Sequence, residues 1–292
     1  MGSFFFAQKK AYDVKWIKII TLLLLIRHVV KHRGYFVVRP TLNIKTGVAL
    51  FSINVNGELL EVREKDNYRW FHFGGDVVQA AIDTLEPENI LLPVPQSMLL
   101  FLLWQKEPLN VLNLGMGAGS LENALEKFPN IQVTSVEAES QIIDMAKRYF
   151  LSSENPNIFH QDAEAFIKST NERYDIILCD IFYQQQSPDC VYCPNFYQDL
   201  NEKMSELGTI FINLFPENKE NLLKVMTVSR QYFDHAALIE FNYYQNIVLI
   251  LSKVALPTKE QLIYLNYLPD KLSNISFKEH INNIHFVPLR TI

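Results

Sequence analysis

Three alternate glycines, Gly115, Gly117 and Gly119, break the run VLNLGMGAGS between Val111 and Ser120. An apolar strand leads into them, and Leu121, Ala124, Leu125 and Phe128 follow at helical spacing, so the segment reads strand, glycine turn, helix. Such a turn brings backbone against a ligand and aims a helix N-terminus at it. A Cβ on any of the three glycines is expected to hold that ligand off. A second strand, Ile131 to Val136, ends in an acid, Glu137, 22 residues after Gly115. That is the distance at which nucleotide folds set a carboxylate against a ribose. Turn, helix and acid together predict a nucleoside site.

From Leu109 onward, strands and helices alternate. Strands are expected at Val111 to Leu114, Ile131 to Val136, Ile158 to His160, Ile176 to Cys179 and Thr209 to Leu214. Helices are expected around Ile142 to Tyr149, from Ala163 to Ile167, and from Phe196 to Leu207 with a stop at Gly208. Short apolar strands alternating with amphipathic helices imply a parallel sheet covered on both faces. Ala236 to Phe241 and Asn246 to Ser252 leave no room for a helix between them, and predict an antiparallel hairpin that ends the sheet. Before this domain, residues 48 to 73 alternate apolar and polar, with turn signals at Asn56-Gly57 and Asp66-Asn67. They predict three short antiparallel strands, closed by Gly74-Gly75. Pro87, Pro93 and Pro95 then mark a linker, and Met98 to Trp104 a first core helix. The organisation expected is an extension at 1–47, a small β unit at 48–76, a nucleoside-binding domain at 77–255 and a tail of two short helices at 256–292.

The net charge of −5 argues against a nucleic-acid partner held on a broad basic surface. The charge is uneven: up to Arg33 the chain has seven Lys and Arg against Asp13 alone. Within that basic segment lies IITLLLLI, too short to span a hydrocarbon core. The segment fits a helix lying on a membrane surface or docking a protein partner. The preferred reading is an extra helix packed on the domain, or a poorly ordered extension. The three cysteines, Cys179, Cys190 and Cys193, form no disulfide ladder and suit a reducing cytoplasm. Cys190 and Cys193 make one CxxC, but a zinc site takes four ligands and no second pair exists, so no metal is expected.

Taken together, these segments resemble the spermidine synthase-like family, within the class I S-adenosylmethionine-dependent transferase fold. The residues carrying the resemblance are FHFGGDVVQAA (Phe71 to Ala81), NLGMGAGS (Asn113 to Ser120), VEAESQIIDMAKRYF (Val136 to Phe150), QDAEAFI (Gln161 to Ile167) and YDIILCDIF (Tyr174 to Phe182). The fold implied is Rossmann-like α/β: a mostly parallel sheet with an antiparallel last strand, preceded by a small antiparallel β unit. The co-substrate implied is S-adenosylmethionine or its decarboxylated form. In that likeness Gln79 reaches the ligand from the β unit, and the turn from Gly115 to Gly119 passes the amino-acid or aminopropyl arm. Glu137 accepts from both ribose hydroxyls, and Asp162 from the adenine amino group with the Ala163 backbone beside it. Asp180 sits near the sulfonium as the candidate catalytic acid. Asp162 also fits a plain N-cap of the helix beginning at Ala163. The family forms dimers through its β unit, so the resemblance implies a homodimer.

The departures concern the acceptor. Spermidine synthases place an Asp inside the glycine turn, where this chain has Ala118, and a general base three residues past the fourth-strand Asp, where it has Tyr183. Their Tyr-His pair falls where this chain reads LPVPQ, and their gate-loop Gly-Pro is replaced by FYQQQSPDC. Asp189 and Glu164 are candidates to compensate, though no spacing requires it. Holding a polyamine and deprotonating it takes carboxylates. Alkyl transfer from a sulfonium takes mainly in-line positioning. The expectation is therefore a transferase acting on an unidentified acceptor other than a standard polyamine, with a methyl donor fitting better than an aminopropyl donor. The alternatives are a genuine spermidine synthase with a rearranged acceptor site, and an inactive nucleoside-binding or scaffold protein. A nicotinamide enzyme fits less well, because its turn is GxGxxG. Phe182, Tyr183 and Tyr192 are candidates to line an apolar acceptor pocket, whereas Phe196 and Tyr197, at helical spacing, read as core.

Overall fold

In the computed structural model, residues 46–74, 77–152, 157–182, 186–242, 244–266 and 277–289 are described. The basic extension up to residue 45, Gly75 and Tyr183 lie outside them. Both turn signals close hairpins. Asn56 and Gly57 take φ of 52° and 89°, and Asp66 takes 55°, the left-handed conformations that tight hairpins require. They join β1 (Val48–Val55), β2 (Glu58–Lys65) and β3 (Tyr68–His72). The small sheet continues past residue 76. The chain returns through Gly74 to add β4 (Ala80–Asp83), antiparallel to β3, in the order β1-β2-β3-β4. This strand shows no alternation because Ala80, Ala81 and Ile82 are all buried.

The proline segment is not a linker. Pro93 opens helix α1 (Pro93–Met98), which tightens into a 3-10 turn over Leu99–Leu103. Proline fits the first helical turn, where its missing N–H has no intrahelical acceptor in any case. Then follow β5 (Leu109–Leu114), α2 (Ser120–Leu125), β6 (Ile131–Glu137), α3 (Ser140–Tyr149), β7 (Ile158–His160), α4 (Ala163–Ser169) and β8 (Tyr174–Cys179). Helix α5 (Pro194–Lys203) ends four residues earlier than the apolar spacing predicts, and β9 (Met204–Leu214) begins at once. Gly208 lies inside this strand and stops no helix. A Cβ there would stand 2.9 Å from the Asp175 carbonyl oxygen, where the β8–β9 register shifts.

Helix α6 (Lys219–Ser229), β10 (His235–Glu240) and β11 (Ile247–Ser252) complete the domain. The tail carries α7 (Lys259–Leu265) and α8 (Phe277–Asn282), and also a strand, β12 (Ile284–Val287). The large sheet has the order β12-β10-β11-β9-β8-β5-β6-β7. The hairpin therefore does not end the sheet: β12 pairs antiparallel with β10 and covers its edge. The five strands from β5 to β9 are mutually parallel, and β11 inserts antiparallel between β9 and β10.

Alternate residues of the central strands feed two core layers. Leu112, Leu114, Ile177, Cys179, Ile210 and Ile212 face one side, where Phe196, Tyr197 and Leu200 of α5 pack. Val111, Ile176, Leu178, Phe211 and Val248 face the other, against Met98, Phe101 and Leu121. A third cluster joins the two sheets, with Val55, Leu60, Val62, Phe71 and Ile82 packed on Ala118, Met145 and Phe150. That contact fixes the small sheet over the glycine turn. Among the described residues no helix is long and apolar enough to cross a membrane.

Candidate active site

Parallel strands leave their carboxyl ends in one row, and loops there converge on a common crevice. Here the row runs from β7 through β6, β5, β8 and β9 to the start of β11, and a cavity of about 600 Å³ lies along it. Gln79, Gly115, Gly117, Glu137, Asp162, Ala163 and Asp180 all line this cavity; Gly119 does not.

The three glycines serve different ends, which corrects the expectation that each admits ligand. All have positive φ: 85° at Gly115, 57° at Gly117 and 80° at Gly119. A Cβ at Gly115 would run into the backbone carbonyl of Asp180, and one at Gly119 into the Leu151 side chain. Only at Gly117 is the space open. Gly115 thus lets β5 and β8 close together, Gly119 admits Leu151, and Gly117 alone leaves backbone bare to the cavity. Ala118 is 2% exposed and packs into the cluster that joins the sheets.

Glu137 fastens the turn. One carboxylate oxygen accepts from the Gly117 N–H at 3.0 Å, the other from the Glu139 N–H at 3.1 Å. Burial pushes its carboxyl above the usual range, and these N–H groups pull it back. Behind it, buried Glu122 accepts from Asn113 Nδ2 at 2.7 Å and from the Ser135 hydroxyl, tying β5, α2 and β6 together. Asp162 is the N-cap of α4, its Oδ1 accepting from the Ala165 N–H at 3.0 Å. The capping reading holds, and the same exposed carboxylate borders the cavity.

Asp180 follows β8 immediately, its N–H bonded to the Leu114 carbonyl at 2.8 Å. Its Oδ1 accepts from Asn213 Nδ2 at 2.7 Å, and Asn213 Oδ1 accepts from Asn246 Nδ2 at 2.9 Å. Burial raises the Asp180 carboxyl to about 6, Asn213 opposes the rise, and the Glu137 charge adds to it. An acid poised there, aimed into a cavity, suits proton transfer near neutrality.

Asn213 and Asn246 are absent from the sequence expectations. Asn213 has a readable signal, one polar residue interrupting the apolar run IFINLF near the end of a strand. Asn246 has none, because its place depends on β11 inserting beside β9. Phe182 lines the cavity, while Phe196 and Tyr197 are core and Tyr192 packs beside the core. His160 is exposed at the rim, its Nε2 3.0 Å from the Ala138 carbonyl. Asp189 and Glu164 border the cavity, as does Cys190, whose thiol is pushed up to about 12 by burial and then by the charges of Glu164 and Asp162. Among the described residues, no group of three His, Cys, Asp or Glu side chains is placed to hold a metal ion.

Comparison with known proteins identifies the family and the fold. Residues 97–255 match the family model of the spermine/spermidine synthase domain. A polyamine aminopropyltransferase of Chromobacterium violaceum is 27% identical over 164 residues, covering 55% of this chain and 63% of that protein, just under two thirds of the relative's length. One from Neisseria meningitidis is 23% identical over 218 residues, covering 73% and 82%. The structure of a probable spermidine synthase from Corynebacterium glutamicum superposes with a TM-score of 0.66 at 16% identity, covering 76% of this chain and 86% of that one. Human methyltransferase-like protein 13, solved with SAH, gives 0.53 at 18% identity, covering 59% and 87%. These two superpositions establish a fold shared with spermidine synthases and methyltransferases, and in this chain its large sheet is preceded by a small antiparallel one. With more than half its length matched by the family model, the chain belongs to the spermine/spermidine synthase family.

Proposed function

We propose that this chain is an aminopropyltransferase, moving the three-carbon arm of decarboxylated S-adenosylmethionine onto an amine. The observation that carries the reading is the meeting of Glu137, the bare Gly117 backbone, Asp162 and Asp180 around one cavity of about 600 Å³. That volume suits a nucleoside donor and a small acceptor together. Both carboxylate oxygens of Glu137 keep lone pairs for the two ribose hydroxyls, beyond those engaged by Gly117 and Glu139. Asp162 Oδ2, opposite the oxygen used for capping, is the acceptor for the adenine amino group. The donor supplies an electrophilic carbon on a sulfonium. Asp180 orients the attacking amine and takes its proton, a role suited to an acid held at about 6. The names of the related enzymes favour the aminopropyl donor over the methyl donor expected from the missing acids. The homodimer implied by family likeness belongs to the same proposal, and the exposed Val48, Leu50 and Leu59 of the small sheet are compatible with it.

One observation favours a second reading, methyl transfer from S-adenosylmethionine. Ala118 stands where spermidine synthases place an Asp inside the glycine turn, and its side chain is packed into apolar surroundings. Incubation with each donor and a panel of amines decides between them. Release of 5′-methylthioadenosine is expected. Release of S-adenosylhomocysteine alone would establish methyl transfer, and failure to bind either donor would leave a nucleoside-fold scaffold without chemistry.

A further inference from the structure

The cavity is chemically lopsided. Towards β6 and β7 its wall carries Glu137, Glu139, Asp162 and Glu164. The small sheet adds Glu58, close after Asn56, which bonds Glu139. The loop after β8 adds Asp189, next to Cys190, whose thiol feels Glu164 and Asp162. Asp180 stands at the middle, beside Gly115. Beyond it, over β9 and the start of β11, the wall carries the neutral phenol of Tyr244 and two carboxamides, Asn213 and Asn246, bonded in series to Asp180. The surfaces facing them belong to Leu92, Val94, Pro95, Phe182 and Phe215. Among the described residues, no carboxylate of the cavity wall comes from the segment between β9 and β11.

We infer that the acceptor is an amine with one ammonium centre on an apolar alkyl or aryl body, a primary monoamine rather than a linear diamine. This deepens the transfer reading above and rests on it. With the donor lying over the acid-rich half, the acceptor enters from the half that begins at Asp180. One carboxylate matches one nitrogen. That nitrogen forms the new N–C bond while the C–S bond breaks. The pair stays on sulfur as a neutral thioether, and the proton lost from nitrogen passes to Asp180. A second ammonium four carbons away would fall one or two strands further along, strands being about 4.8 Å apart. There it would meet neutral amides, a phenol and apolar side chains, and burying an unpaired cation is strongly unfavourable. An alkyl or aryl body loses nothing in that position and gains from leaving water.

The test uses the full chain at pH 8 with saturating donor. It reads thioether release with n-butylamine and with 1,4-diaminobutane, after calorimetry has established donor binding. The inference predicts kcat/KM at least tenfold higher for butylamine. It also predicts that Asn246→Asp, which adds a carboxylate two strands from Asp180, moves the ratio at least tenfold towards the diamine. Donor binding combined with equal use of both amines, preference for the diamine, or turnover of neither overturns the acceptor inference alone. An Asn246→Asp variant that binds donor as the parent does but leaves the ratio unchanged also contradicts it. Absence of donor binding overturns the transfer reading and this inference with it.

Discussion

The two halves of the carboxyl edge are built differently. From β7 to β8 the edge holds Asp162, Glu137, the glycine turn and Asp180, each placed by the strand or helix it directly adjoins. From β9 to β11 it holds Asn213 and Asn246, which are brought together only because β11 inserts antiparallel between β9 and β10. The first half, the nucleoside cradle of the proposed function, is assembled from local sequence. The second is a neutral wall assembled by topology, and Asp180 joins the two. On the proposed function, the contrast implies that within one fold a donor half set by local sequence can stay fixed while an acceptor half set by strand order takes on a new partner.

The sharpest way to break this division is at the glycines. Gly115→Ala forces a Cβ into the Asp180 backbone at φ 85°, so a loss of more than about 3 kcal/mol and a fall in Tm of many degrees are expected. Gly117→Ala meets open space and costs only the left-handed strain, on the order of 1 kcal/mol, yet it should weaken donor binding. Scanning calorimetry with donor titration compares the pair. Equal losses of Tm would show that Gly117 is architecture rather than binding surface.

Asp180→Asn probes the join. A fall in kcat on the order of a hundredfold is expected, together with loss of the rate limb near pH 6. Because burial raises this carboxyl, its contribution to stability is complete below the ordinary aspartate range and is lost as pH rises through about 6. Above pH 6 the Asn variant should therefore be the more stable, by on the order of 2 kcal/mol. A rate limb that survives the substitution would move the base elsewhere.

A smaller effect is expected at the carboxyl end of β10, on the same edge of the sheet but outside the cavity lining. Burial pushes Glu240 up to about 7, and His285 Nε2 lies 3.9 Å away. Stability from this group is lost as pH climbs from the ordinary glutamate range through about 7. Glu240→Gln should raise Tm by a few degrees at pH 8.5, leave it unchanged at pH 4.5, and leave donor affinity untouched. A change in donor affinity would mean that the outer edge is coupled to the cradle.

What the sequence made legible follows the same division. The strand-turn-helix unit, the acid 22 residues on and the acid after β8 are local patterns, and they lie together on the cavity. Hairpins with φ-demanding Asn and Gly were legible for the same reason. Three features were not. Strand β4 is short and wholly buried, so it shows no period. Met204 and Leu207 continue the spacing of α5 although the chain has already become β9. Strand β12 follows two helices and exists because β10 would otherwise leave an open edge. The Asn213–Asn246 bond was out of reach for a similar reason, because it depends on which strand inserts where.

Titration calorimetry with decarboxylated S-adenosylmethionine, on the parent chain and on Glu137→Gln, tests the nucleoside cradle most directly. The cradle predicts micromolar binding to the parent chain. In the variant it predicts a loss on the order of 2 kcal/mol, roughly thirtyfold in Kd, as charge-assisted hydrogen bonds to the ribose become neutral ones. Unchanged affinity in a variant that melts like the parent, or no heat from a folded parent chain, would contradict it.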